Sequence, residues 1–120
     1  MNKRETGNTG EDRACNYLKS KGYSILSRNW RTRDGEIDII VEKAETIVFV
    51  EVKTLPNGTM DMLEKELNHQ KQHRIIKTSK RFLINHRQYI NSYIRYDVIL
   101  IDMPGKPPVY HIENAFTELL

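Results

Sequence analysis

The sequence holds one cysteine, Cys15, in 120 residues. That count excludes an intramolecular disulfide and a cysteine-based zinc cluster within one chain. Long apolar runs are missing too. The longest are Ile47-Val48-Phe49-Val50 and Val98-Ile99-Leu100-Ile101, far short of a membrane-spanning helix. Met1 to Glu5 form no apolar stretch of the kind a signal peptide carries, so a cytoplasmic location is expected. Proline and glycine are sparse, at four and six, and no stretch rich in them reads as a linker. A single domain over residues 1–120 is expected. There is no internal repeat and no low-complexity segment. With 38% hydrophobic and 29% charged residues, the composition is polar but that of a globular chain, not a disordered one.

Acidic residues are absent from positions 67 to 95. That segment carries Lys71, Arg74, Lys77, Lys80, Arg81, Arg87 and Arg95, against a net charge of +3 for the whole chain, so the remainder is acidic. A smaller basic cluster is Arg28, Arg31 and Arg33. Such asymmetry reads as the footprint of a phosphate-backbone partner, or as a solvated helix face whose acidic partners lie on other elements.

The hydrophobic pattern predicts a helix over 10–20, where Ala14, Tyr17 and Leu18 share a face and Gly22 follows as a C-terminal cap. Residues 23–29 read as a short strand, Asp34-Gly35 as a turn, and 36–42 and 46–54 as two strands joined near Ala44. A helix is expected between 61 and 86. Residues 93–103 read as a strand buried on both faces. A turn at 104–108, a short strand over 109–112 and a final short helix capped by Asn114 complete the reading. The order gives an α/β fold with a mixed sheet flanked by helices.

The two central strands pose a register problem. In an antiparallel pair, opposed residue numbers have a constant sum. An odd sum places Ile37, Ile39 and Val41 on one face with Val48, Val50 and Val52. An even sum would bury Asp38 and Glu42 among the valines, so parity is well determined. A turn centred at 44 and 45 fixes the sum at 89. Asp38 then opposes Glu51, Glu36 opposes Lys53, and all four leave the face opposite the valines. Two opposed carboxylates repel. A hard divalent cation such as Mg²⁺ between them removes that repulsion. Lys53 reaches the same face by the period of two and supplies an ammonium for a developing negative charge. The plainer reading is an exposed hairpin face on which Lys53 bridges Glu36 and Glu51.

Asp38 followed by Glu51-Val52-Lys53 resembles the D…ExK core of the restriction-endonuclease-like nuclease superfamily. The likeness extends through Gly10-Glu11, Ala14, Leu18, Gly22, Arg28-Asn29-Trp30-Arg31, Gly35-Glu36-Ile37-Asp38, Val48 to Lys53, Lys71, Arg74-Ile75 and Arg95 to Val98. Together these resemble the YraN family of small bacterial proteins, whose core motif is similar to that of archaeal Holliday-junction resolvases. The resemblance implies a restriction-endonuclease-like fold and Mg²⁺- or Mn²⁺-dependent hydrolysis of phosphodiesters, in DNA before RNA and in branched substrates among others. It implies that Asp38 and Glu51 are metal carboxylates, that the Val52 carbonyl completes the set, and that Lys53 is the catalytic lysine. Glu11 matches an acidic residue brought near the metal by the N-terminal helix; an ordinary glutamate in a helix's first turn is the alternative. A symmetric homodimer is a further expectation. Thr54 stands where many members place a basic residue.

Arg28, Arg31, Arg33, Lys71, Arg74 and Lys77 are candidate nucleic-acid contacts. Trp30, among the arginines, reads as a core or lid tryptophan ahead of a base-stacking one. His69 and His73 have a zinc-compatible spacing but no third ligand, and read as exposed helix histidines. Cys15 reads as a small buried hydrophobe. A module that binds nucleic acid without turnover is the alternative function.

Overall fold

A computed structural model describes residues 9–118. The signal-peptide expectation rests on residues outside that range. Five strands form one sheet in chain order, with β1 (Ser24–Thr32), β2 (Gly35–Lys43), β3 (Thr46–Thr54), β4 (Tyr93–Ile101) and β5 (Val109–Phe116). β1, β2 and β3 are an antiparallel meander, β3 and β4 are parallel, and β4 and β5 are antiparallel. Helix α1 (Gly10–Ser20) precedes the sheet. Helices α2 (Met60–Glu66) and α3 (His69–Asn85) form the crossover that parallel strands require. The expected mixed sheet flanked by helices is therefore present, in an arrangement consistent with a restriction-endonuclease-like fold. No helix among the described residues is long and apolar enough to cross a membrane.

Each face of the sheet is covered. Ala14, Cys15 and Leu18 of α1 pack on Ile39, Val41, Val48, Val50, Ile99 and Ile101. Ile75, Ile76 and Phe82 of α3 pack on Ile40, Ile47, Phe49, Val98 and Leu100. This double burial explains the near-continuous apolar runs of β3 and β4. Trp30 belongs to the second core, edge-on to Phe82 at 5.3 Å. Cys15 is buried, which pushes its thiol pKa up.

Local signals set the ends of the elements. Thr9 caps α1 by accepting the Asp12 N–H, and Gly22 follows with φ +91°. Gly10 opens the helix where it meets β3. A Cβ there would lie 2.2 Å from Thr54 Oγ1, so only glycine lets the helix start this close to the end of the strand.

Four expectations need correction. The face opposite the valines is not an exposed hairpin surface, because α2 and α3 lie over it. Ile37 packs in the α3-side core, apart from Ile39 and Val41; beyond Ile39 β2 is paired with β1 alone, where Ile37 stands opposite Trp30 of that core. The single helix expected between 61 and 86 is two, broken at Leu67 and Asn68, where Asn68 caps α3 by accepting the Lys71 N–H. The helix expected from Asn114 is absent among the described residues. β5 continues to Phe116, and Asn114 (φ 53°) sits in a bulge where the register with β4 shifts. A matching bulge breaks β1 between Ile25 and Ser27, and Asn29 (φ 52°) follows it. Asparagine tolerates the left-handed region that a bulge uses, so a residue read as a cap serves as a strand irregularity.

Candidate active site

The register of β2 and β3 follows the sum of 89: Ile39 pairs with Val50, Ile40 with Phe49 and Val41 with Val48. The paired ladder stops at Ile39 and Val50. One position further, where Asp38 and Glu51 face each other, the strands part. There Asp38 Oδ2 accepts the Val52 N–H at 2.8 Å. A side chain thus replaces the missing rung and brings the carboxylate across to β3. The expected opposition of Glu36 and Lys53 falls beyond this parting. Glu36 turns instead to β1, where it accepts the Arg31 Nε–H at 2.7 Å.

Glu51 is only 5% exposed. Burial, and then the nearby Glu51 carboxylate, push the Asp38 pKa up to about 7; the Val52 N–H works against them. Asp38 is half-buried beside the buried Glu51. Two ammonium groups approach it from different elements. Lys53 Nζ of β3 lies 3.7 Å from Glu51 Oε2, and Lys71 Nζ of α3 lies 3.3 Å from the same oxygen. The donors are hard carboxylate oxygens, which fit Mg²⁺ or Mn²⁺ retaining several waters.

Glu11 is near enough to add to the Asp38 shift, as its smallest contributor. Its Oε1 is held by Arg28 Nε at 3.0 Å and by Asn29 Nδ2 at 2.9 Å. Among the described residues no group of three or more His, Cys, Asp or Glu converges as a metal cage. The site therefore rests on Asp38 and Glu51, with the Val52 backbone beside them. His69 and His73 are exposed and share a shallow cavity with Glu118, whose carboxylate is engaged by Lys80.

The basic residues are more fully paired than their sequence suggests. Arg28 binds Glu11 and Asp12, Arg31 binds Glu36, and Lys77 and Arg81 bind Asp34. Arg33 and Arg74 are exposed and have no ion-pair partner among the described residues. Lys71, Lys77, Lys80 and Arg81 find acidic partners on other elements, Arg95 pairs with Asp97 of its own strand, and Arg74 and Arg87 have none among the described residues.

A second ionic cluster lies on the α1 side. Asp97 of β4 is 1% exposed. It receives two hydrogen bonds from Arg95, one from the Asn114 N–H at 2.9 Å, and one from His111 Nε2 at 2.6 Å. His111 Nδ1 and the Tyr17 hydroxyl lie 3.1 Å apart in a hydrogen bond, and Arg95 donates to the Tyr23 hydroxyl at 2.7 Å. Burial would raise the Asp97 pKa, but His111, Arg95 and the Asn114 N–H outweigh it and hold the group low. Arg95 and Asp97 are two residues apart on β4, so their pairing is local. His111 and Tyr17 are far from it in the chain and carry no local signal.

Comparison with known proteins places this chain in a family. The model of the Uncharacterised protein family UPF0102 matches residues 10–101. A UPF0102 protein of Treponema denticola is 44% identical, covering 92% of this chain and 93% of its own. One from Alkaliphilus oremlandii is also 44% identical, over 97% of this chain and 100% of its own. One from Geobacter metallireducens is 40% identical, over 97% and 95%.

Proposed function

The chain belongs to the UPF0102 family, and from this site we propose that it is a metal-dependent nuclease. It hydrolyses phosphodiesters of nucleic acid, DNA before RNA, with branched DNA among its substrates. The observation that carries the proposal is the pairing of half-buried Asp38 with buried Glu51 at the parting of β2 and β3, with Lys53 two residues along the strand. The likeness of these residues to the D…ExK core of restriction-endonuclease-like nucleases, and to Holliday-junction resolvases, supports it.

Asp38 and Glu51 would hold Mg²⁺ or Mn²⁺, with the Val52 carbonyl as a further oxygen. The chemistry such an ion supplies when bound is polarisation of a phosphate oxygen. The chain's own groups do the rest. The parted strands leave the carboxylates at an open end of the hairpin, where a phosphate can approach. Lys53 neutralises charge that develops on the phosphate oxygens, at a place where burial strengthens the interaction. Arg33 and Arg74 have charge free for the flanking backbone. Glu11 fixes Arg28 and Asn29 beside α1.

The test is cleavage by purified protein with Mg²⁺ and then Mn²⁺. Substrates are single-stranded, duplex, flapped and four-way-junction DNA, together with RNA. Asp38→Ala serves as the contamination control. Wild-type cleavage that the variant lacks is the expected result. Equal cleavage by both would refute the site. No cleavage, with salt-sensitive retention of one substrate in a gel shift, would favour a binding module.

A further inference from the structure

Lys71 is the one residue of the basic segment whose ammonium meets the carboxylate pair. Lys77, Lys80, Arg81 and Arg95 are engaged by Asp34, Glu118, Asp97 and Glu113, all outside it. Lys71 sits in the first turn of α3, where its backbone N–H is capped by Asn68 Oδ1 at 3.0 Å. The neighbouring Gln72 amide donates to the Leu67 carbonyl at 2.9 Å. Both bonds pin this turn to the end of α2, so the helix aims a long side chain at Glu51. The ammonium lies closer to Glu51 than that of Lys53, at 3.3 Å against 3.7 Å, and Lys71 is the more exposed of the two lysines.

We infer that Lys71 is an internal counter-cation: a positioning residue that occupies Glu51 while no divalent ion is bound, and swings to the substrate phosphate when one is. The cation and the phosphate in this inference rest on the nuclease reading above. The reasoning is charge balance. Glu51 already faces two ammonium groups, and Asp38 is the other carboxylate of the cluster. A divalent ion added to that cluster leaves two positive charges in excess within a buried site. One ammonium must give way, and an arriving phosphodiester must bring negative charge. The two lysines have the same stem, but Lys71 is the more exposed, at 31% against 23%, and comes from α3 rather than from the strand that carries Glu51. Lys71 is therefore the group that leaves, and the phosphate is the nearest anion for it to meet. Metal entry and substrate contact are coupled through one side chain.

The inference predicts an opposite effect on metal and substrate. Mn²⁺ binding is measured without nucleic acid, by electron paramagnetic resonance of the free ion, on wild type, Lys71→Met, Lys71→Gln and Lys71→Arg. Removing a like charge from beside the ion should tighten Mn²⁺ binding at least about tenfold in both neutral variants. Lys71→Arg keeps the charge and should bind as wild type does. In parallel, Ca²⁺-supported DNA binding should weaken in the neutral variants and recover in Lys71→Arg. Unchanged or weaker Mn²⁺ binding in the neutral variants would overturn the inference, as would no binding in any of the four proteins. Loss of the fold in both neutral variants would assign Lys71 to stability and overturn it too. The nuclease reading is judged separately, by wild-type cleavage. Tighter Mn²⁺ binding in Lys71→Met with an inert wild type would sustain the counter-cation and refute the nuclease.

Discussion

Replacing Asp38 with asparagine should stabilise the metal-free protein, and the gain should grow with pH. The Asp38 pKa rises from 3.8 in the free side chain to about 7 in the fold. The folded state therefore binds more protons than the unfolded chain between about pH 4 and pH 7, so stability falls as pH rises through that window. The contribution is fully present below about pH 4 and lost above about pH 7. At about 1.4 kcal/mol per unit, the shift sets an upper bound of roughly 4 kcal/mol. Lys53 and Lys71 share the charge of the pair, so roughly 2 to 4 kcal/mol is expected. Asn keeps an oxygen for the Val52 N–H and never ionises. Urea unfolding of wild type and Asp38→Asn in chelator, from pH 4.5 to pH 8, should show the variant gaining on wild type by that amount. Added Mg²⁺ at pH 8 should restore wild type and leave the variant unmoved, if the site takes the cation as proposed. A gap independent of pH, or a variant weaker than wild type at pH 8, would refute the crowded-carboxylate account.

Gly10→Ala should cost about 1 to 3 kcal/mol, because its methyl group meets Thr54 Oγ1. In a Thr54→Ala background the cost should largely vanish, which a double-mutant cycle by thermal melt would measure. The two-residue turn between β2 and β3 places both Ala44 (φ 49°) and Glu45 (φ 64°) in the left-handed region, so Glu45→Gly should raise stability by about 1 kcal/mol. Asp97→Ala removes a buried carboxylate that accepts from Arg95, His111 and the Asn114 N–H, and should cost about 3 kcal/mol or more in urea. The Asp97 pKa lies below its free value, so its contribution is present above about pH 4 and lost as pH falls further. An Asp97→Ala deficit that persisted unchanged at pH 2 would refute that assignment.

The central hairpin was legible because Ile39, Val41, Val48 and Val50 share one face, which leaves only one parity for the pairing. Helix α1 was legible from its spacing and its cap. The parting of β2 and β3 was not, because it depends on a hydrogen bond from the Val52 N–H to Asp38 that has no sequence signature. Asn114 looked like a helix cap because a left-handed asparagine and a capping asparagine are the same residue in sequence. The site split along the same line. Asp38 and Glu51 sit on one hairpin, and local pattern brings them together. Lys71 is delivered by a helix whose placement depends on the whole α3-side core. It was read as facing a duplex, and the structure puts it on Glu51. The pairing of the basic segment, and the link from Asp97 through His111 to Tyr17, likewise depend on which elements pack together.

The bulges in β1 and β5 fall on the two outermost strands of the sheet. In each, extra residues break the ladder against the inner neighbour, and a left-handed asparagine lies in the β5 bulge and shortly after the β1 bulge. A flat outer strand offers unpaired N–H and C=O groups in a straight row, a template on which foreign strands can add. Here both rims are kinked, so the five-stranded sheet ends where it does and resists growing into an aggregate. That protection matters for a chain whose inner strands are so apolar.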